Sequence, residues 1–231
     1  MWLRGVLPKQ HLDAESTATV KVGIGLIATM TALVLGLVTG AAKSSFDQMN
    51  TAIKSAATDM LALDRTLAQY GPESAEAREL LYHAVQVRVD AVWPRSSSQK
   101  VELDVPDVRS TEIVVAKILA LAPQNDDQRW ERSRALSLGE DLLEARWVAS
   151  SGGGTTVLGA FLVALLFWLG LTFASFGLFA PRNVTVIATL FLCSLSVAGA
   201  VFLVLEMDGP FEGVVKVSPQ PLRYALTQMN Q

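Results

Sequence analysis

The chain has 231 residues, 51% of them hydrophobic and only 18% charged, with a formal net charge of −3. Soluble domains carry about 25% charged residues, so this composition argues against an ordinary soluble enzyme, and the weakly acidic balance gives no basis for nucleic-acid binding. Charge is also segregated: residues 43–150 hold 13 of the 19 Lys and Arg and 17 of the 22 Asp and Glu, which predicts a solvated middle between membrane flanks.

Residues 1–19 read as an interhelical type of segment. MWLRGVLPKQHLDAEST has neither the apolar core nor the small-residue cleavage site of a signal peptide. Residues 20–43 form the first predicted span, uncharged over 22–42 between Lys21 and Lys43, with Ser16, Thr17 or Thr19 to cap its start. Residues 44–150 form the module. Ile53, Ala56, Ala57, Met60, Leu61 and Leu67 share one helical face, so the first span continues beyond the bilayer as an amphipathic helix. Gly71-Pro72-Glu73 stops it and starts a second helix to about Trp93, with Ala77, Leu80, Leu81, Ala84, Val85 and Val92 on its apolar face. PRSSSQKVELDVPD is a linker, and a helix over 110–121 follows, ended by Pro123. Asn125-Asp126-Asp127-Gln128 has the form of a capping box, opening a polar helix that Gly152-Gly153-Gly154 closes.

Residues 147–205 contain a single charge, Arg182. The two uncharged stretches beside it predict a transmembrane hairpin, with spans over 154–180 and 184–206 and a turn at 181–183. Residues 207–231 are expected to be an interfacial tail. In it Pro210, Phe211 and Gly213 suggest a turn re-entering the interface, and Leu222, Leu226 and Met229 mark a short amphipathic helix. The fold class is therefore all-α: three transmembrane helices plus an antiparallel helical module. The N-terminal segment and the 181–183 turn share one side, with four basic residues. The other 15 lie on the side of the module and the tail, which favours a cytoplasmic module and C-terminus.

Two stripes of small and hydroxylic residues stand out. Thr185, Thr189, Cys193, Ser196 and Ala200 share one face of the last span; Thr29, Ala32, Gly36, Gly40 and Lys43 share one face of the first, where Gly36 and Gly40 form a GxxxG pair. Such residues let helices pack closely, line a pore or face lipid by accident. On the second alternative Thr29, Gly36, Thr185, Thr189 and Ser196 are candidate pore-lining residues. Lys43, Glu206 and Asp208 are candidate mouth charges; repeated around an oligomer, the acidic pair would form a ring favouring cations, although local ion pairing is the plainer role. Arg182 and Asn183 make the hairpin turn: Asn183 caps the following helix, and Arg182 is a lipid or anion contact or simply a snorkelling side chain. No span holds an ionisable residue at mid-depth, which argues against proton relays and voltage sensing. His11 and His83 are isolated and Cys193 is the single cysteine, so no metal or cofactor is expected. No nucleophile–base arrangement or phosphate loop points to an enzyme.

FGLFAPRN, then an apolar span, then the spaced elements LE-MD-PF-G-VS-PL-AL make the C-terminal third resemble the bacterial family of integral membrane proteins with a bestrophin-like domain. ALVLGLVTGAAKSSFD and LDRTLAQYGPE extend the resemblance over nearly the whole chain. The family usually has four spans with both termini cytoplasmic, and this chain begins where the first would end; Gly209 stands where a basic residue is common. The resemblance implies a multi-pass protein of the bacterial inner (plasma) membrane. Through a distant link to bestrophins, which are pentameric anion channels, it also implies an oligomeric ion channel, although no bestrophin pore motif is recognisable. The alternative is a non-conducting scaffold or sensor whose module binds a cytoplasmic partner. The partners expected are the lipid bilayer, further copies of the chain and inorganic ions, with no nucleic acid.

Overall fold

The computed structural model describes residues 14–94, 110–151, 155–179, 183–211 and 213–229. Among these residues there are seven α-helices and one 3-10 turn, and no strand. The helices are α1 (Ala14–Tyr70), α2 (Ala75–Val92), α3 (Ser110–Leu119), α4 (Asp126–Ser151), α5 (Thr155–Phe179), α6 (Val184–Asp208) and α7 (Gln220–Met229). The chain divides into two compact units, residues 1–45 with 154–208 and residues 46–153 with 209–231.

The first unit holds the helices long and apolar enough to cross a membrane: the leading part of α1, then α5 and α6. At about 1.5 Å per residue, the 25 residues of α5 and of α6 each exceed a hydrocarbon layer of ~30 Å. Their contact is a small apolar cluster of Val38 and Ala42 from α1, Leu162 from α5 and Val204 from α6, with Val34 and Met207 against it. Hydroxyls within the bundle are satisfied locally. The buried Thr31 and Thr172 donate to the carbonyls of Ile27 at 2.7 Å and Trp168 at 2.9 Å.

The second unit is the module, and it has the larger core. Ala57, Leu63 and Leu67 of α1 pack with Ala77, Leu81, Val85, Val89 and Val92 of α2, and Val114, Ile118, Ala135, Leu138 and Leu142 of α3 and α4 complete it. A fully buried Leu or Ile contributes about 1.5–3 kcal/mol of transfer free energy, so Leu67 and Ile118, both 0% exposed, are among its main anchors. The α1–α2 reversal is made at Gly71, whose φ of 125° and ψ of −176° suit only glycine. Ser74 then donates to the Leu67 carbonyl left open at the end of α1. The expected Asn125 cap is present: its Oδ1 accepts from Gln128 N at 2.8 Å. The side chain of Gln128 accepts from Gln124 N at 2.8 Å and donates to the Tyr70 carbonyl at 3.0 Å, so one residue joins the start of α4 to the end of α1.

Three expectations need revision. The first helix starts by Ala14 and runs unbroken through Ser16, Thr17 and Thr19, so none of these is a cap. The third helix stops at Leu119 instead of 121, short of Pro123, and Arg132 donates to the carbonyls of Ile118 at 3.3 Å and Leu119 at 2.7 Å. The tail belongs to the module unit: Leu222, Ala225 and Met229 of α7 are buried in its core, so the apolar face that an interfacial helix turns to lipid is occupied by protein. The 95–109 linker residues lie outside the described residues.

Candidate functional site

Within the membrane unit, the orientation of each helix shows where the two stripes lie. On α1 the inward face is Ile24, Thr31, Val38 and Ala42, all buried. Thr29, Ala32, Gly36, Gly40 and Lys43 are exposed on the other side. A Cβ added at Gly25, Gly36 or Gly40 would meet nothing within 4 Å. The GxxxG pair therefore does not seat α5 or α6. On α6 the inward anchor is Val204, while Thr185, Thr189, Cys193 and Ser196 are exposed and Ala200 is half-buried. Both stripes thus face out of the protomer, flanked by exposed large apolar residues such as Leu33, Leu37, Leu192 and Leu195.

The hydroxyls on these faces share one hydrogen-bond habit. Thr29 donates to the Gly25 carbonyl, Thr189 to Thr185 and Ser196 to Leu192, each at 2.9 Å and one turn back. The proton is spent on the helix, and the oxygen keeps its acceptor lone pairs for the outside. A row of such oxygens offers ligands to a cation or a water column and offers few donors to an anion.

The cluster of Val38, Ala42, Val204 and Met207 brings the end of the first span level with the end of α6. Lys43, exposed, and Glu206 and Asp208, half-buried, therefore belong to one end of the membrane unit. Lys43 and Glu206 each have an interaction partner. At the hairpin turn, Asn183 Oδ1 accepts from Val186 N at 2.9 Å, the cap its position predicts. Arg182, the proposed lipid or anion contact, lies outside the described residues, as does His11.

In the module, Asp64 adjoins Arg65 in sequence, but its partner is Arg78. Arg78 Nε and Nη2 donate to the two carboxylate oxygens at 2.8 and 3.0 Å. The Asp64 side chain is only 3% exposed and that of Arg78 is 34% exposed. The hydrogen bond to Asp64 raises the Arg78 pKa above its ordinary value; burial opposes the shift and the carboxylate charge adds to it. The signal was present in the spacing: Asp64 and Arg78 are equidistant from Gly71, as opposing positions on a hairpin must be. His83 is exposed, and the described residues contain no group of three metal-ligating side chains. A groove of about 300 Å³ between α2 and α7 is bordered by Tyr82, Gln86, Asp90, Arg223 and Thr227.

A family model, the Bestrophin-like domain, matches residues 1–222. No curated protein matches the chain. No solved structure matches it either.

Proposed function

This chain belongs to the Bestrophin-like domain family, and on that premise we propose that it assembles with further copies of itself into an ion channel. Its pathway is lined by the outward stripes of α1 or α6, from Thr29, Gly36, Thr185, Thr189 and Ser196. The observation that carries this reading is the orientation of both stripes. Small and hydroxylic residues lie on faces that no described helix covers, with open space at Gly36 and Gly40. In lipid there is no hydrophobic gain in merely turning such a face outward, whereas close packing or hydration rewards it. Acceptor oxygens along the pathway and Glu206 and Asp208 at its mouth make cations the favoured ions. The module and C-terminus are cytoplasmic in this reading, as the basic-residue bias supports, and the membrane is the bacterial inner membrane.

The test is ion flux through purified oligomer in liposomes. Thr189→Trp should block or reduce flux, and Glu206→Lys should shift permeation away from cations. Silent planar-bilayer recordings from verified, assembled protein would overturn the channel reading. A second reading, a non-conducting scaffold, draws support from Trp130, which is 64% exposed on the otherwise polar α4. Large exposed aromatics of this kind are common anchors at protein interfaces. Trp130→Ala should then abolish capture of a specific partner while leaving assembly unchanged.

A further inference from the structure

Beyond α6 the chain forms a short loop. Val217 N donates to the Pro210 carbonyl at 2.8 Å and closes it. The Val217 carbonyl accepts from Trp93 Nε1 at 2.9 Å, a buried bond that ties the base to the end of α2. Phe211 packs edge-on against Trp93, with ring centroids 5.4 Å apart and an interplanar angle of 83°. Phe211, the apolar residue that a re-entrant turn would send toward lipid, is therefore already committed to protein. Gly213, with φ of 82°, turns the backbone at the far end of the loop. Val214 follows it and is 82% exposed, with exposed Lys216 two residues on. Among the described residues, Val214 and Val184 are the most exposed large apolar residues, and Val184 is the first residue of a span.

Covalent geometry limits where Val214 can lie. It is six residues beyond Asp208, and at about 3.5 Å per extended residue it stays within ~20 Å of the end of α6. Closing the loop shortens that reach. The headgroup zone begins where the hydrocarbon ends, and the potential of an anionic leaflet extends about one Debye length, ~8–10 Å, farther.

We propose that this loop is a lipid-headgroup contact, in which Val214 enters the interfacial layer and Lys216 pairs with anionic lipid phosphates. The proposal requires α6 to be a membrane span. It does not require the protein to conduct ions, so a silent bilayer recording leaves it standing.

The test places an environment-sensitive bimane label at Val214→Cys in a Cys193→Ala background, in nanodiscs containing phosphatidylglycerol. Gln69→Cys, on an exposed position of the module, serves as the aqueous reference. The label at 214 should emit to the blue of the label at 69, be quenched by lipids spin-labelled near the headgroup, and resist aqueous iodide. Equal iodide quenching at both positions would overturn the proposal, and so would shielding of 214 from both quenchers, which would mean that protein covers it. Lys216→Glu should weaken lipid quenching at 214 in phosphatidylglycerol discs more than in phosphatidylcholine discs. An equal effect in the two would remove Lys216 from the contact.

Discussion

Arg78→Ala should destabilise the module more than any other single exposed-to-half-buried substitution in it. The change deletes both donors to Asp64, made at 2.8 and 3.0 Å, and leaves a carboxylate that is 3% exposed without its cation. Breaking a fully buried ion pair from one side costs about 3–5 kcal/mol. The Arg78 side chain is 34% exposed, so water reaches part of the vacated space, and we expect about 2–3 kcal/mol. For a unit of this size that corresponds to a fall in melting temperature of roughly 10 °C. Thermal unfolding followed by circular dichroism in detergent measures it. The decisive comparison is the double variant Asp64→Leu with Arg78→Met, which removes both charges and fills the same space. It should recover to within about 1 kcal/mol of the parent protein. The contribution of Arg78 should also be flat from neutral pH up to the arginine range. Its folded-state pKa is raised, so its stabilisation is fully present below the ordinary arginine value and is lost only as pH rises through the folded-state value. The reasoning fails if Arg78→Ala melts with the parent protein, or if the double variant is weaker than the single one.

Gly71→Ala should cost about 1–3 kcal/mol, because an alanine would adopt a φ of 125° and place its Cβ 2.8 Å from Glu73 Oε2; chemical denaturation should show it as a lower midpoint with an unchanged slope. Trp93→Phe removes the buried donor to the Val217 carbonyl, a local loss of about 1–3 kcal/mol. Hydrogen exchange should accelerate over residues 213–229 and stay slow in the α1–α2 hairpin. At Gly36 an added Cβ meets nothing within 4 Å, so Gly36→Leu should leave the monomer's helical content intact; native mass spectrometry should show the oligomer lost, and an unaltered oligomer would remove this face from assembly.

Much of this fold was legible in the residues. The lack of charge over 147–205 marks the hairpin because an ionised side chain is costly in hydrocarbon. Asn125 and Asn183 cap α4 and α6 because their spacing to the following amides is local. In the module, water supplies the contrast that reveals a buried face, and Ala77, Leu81, Val85 and Val92 were all found by their period. Partner choice was harder to read. Asp64 sits beside Arg65 in sequence but pairs with Arg78, because neighbouring positions on a helix diverge while positions across a hairpin converge. The C-terminal helix was recognisably amphipathic, yet its apolar face is covered by α2 and not by a bilayer, since an amphipathic pattern identifies a buried face without identifying what buries it.

The stripes on α1 and α6 mark the same boundary most sharply. Sequence period alone determined that Thr29, Gly36 and Gly40 share a face, as do Thr185, Thr189 and Ser196. Only the tertiary structure decided that both faces point away from the protomer's own helices. The reason is the solvent. In lipid the inner and outer surfaces of a span are both apolar, the hydrophobic contrast that orients a helix in water is absent, and direction is set by which side chains interlock, Val38 and Ala42 with Leu162 and Val204.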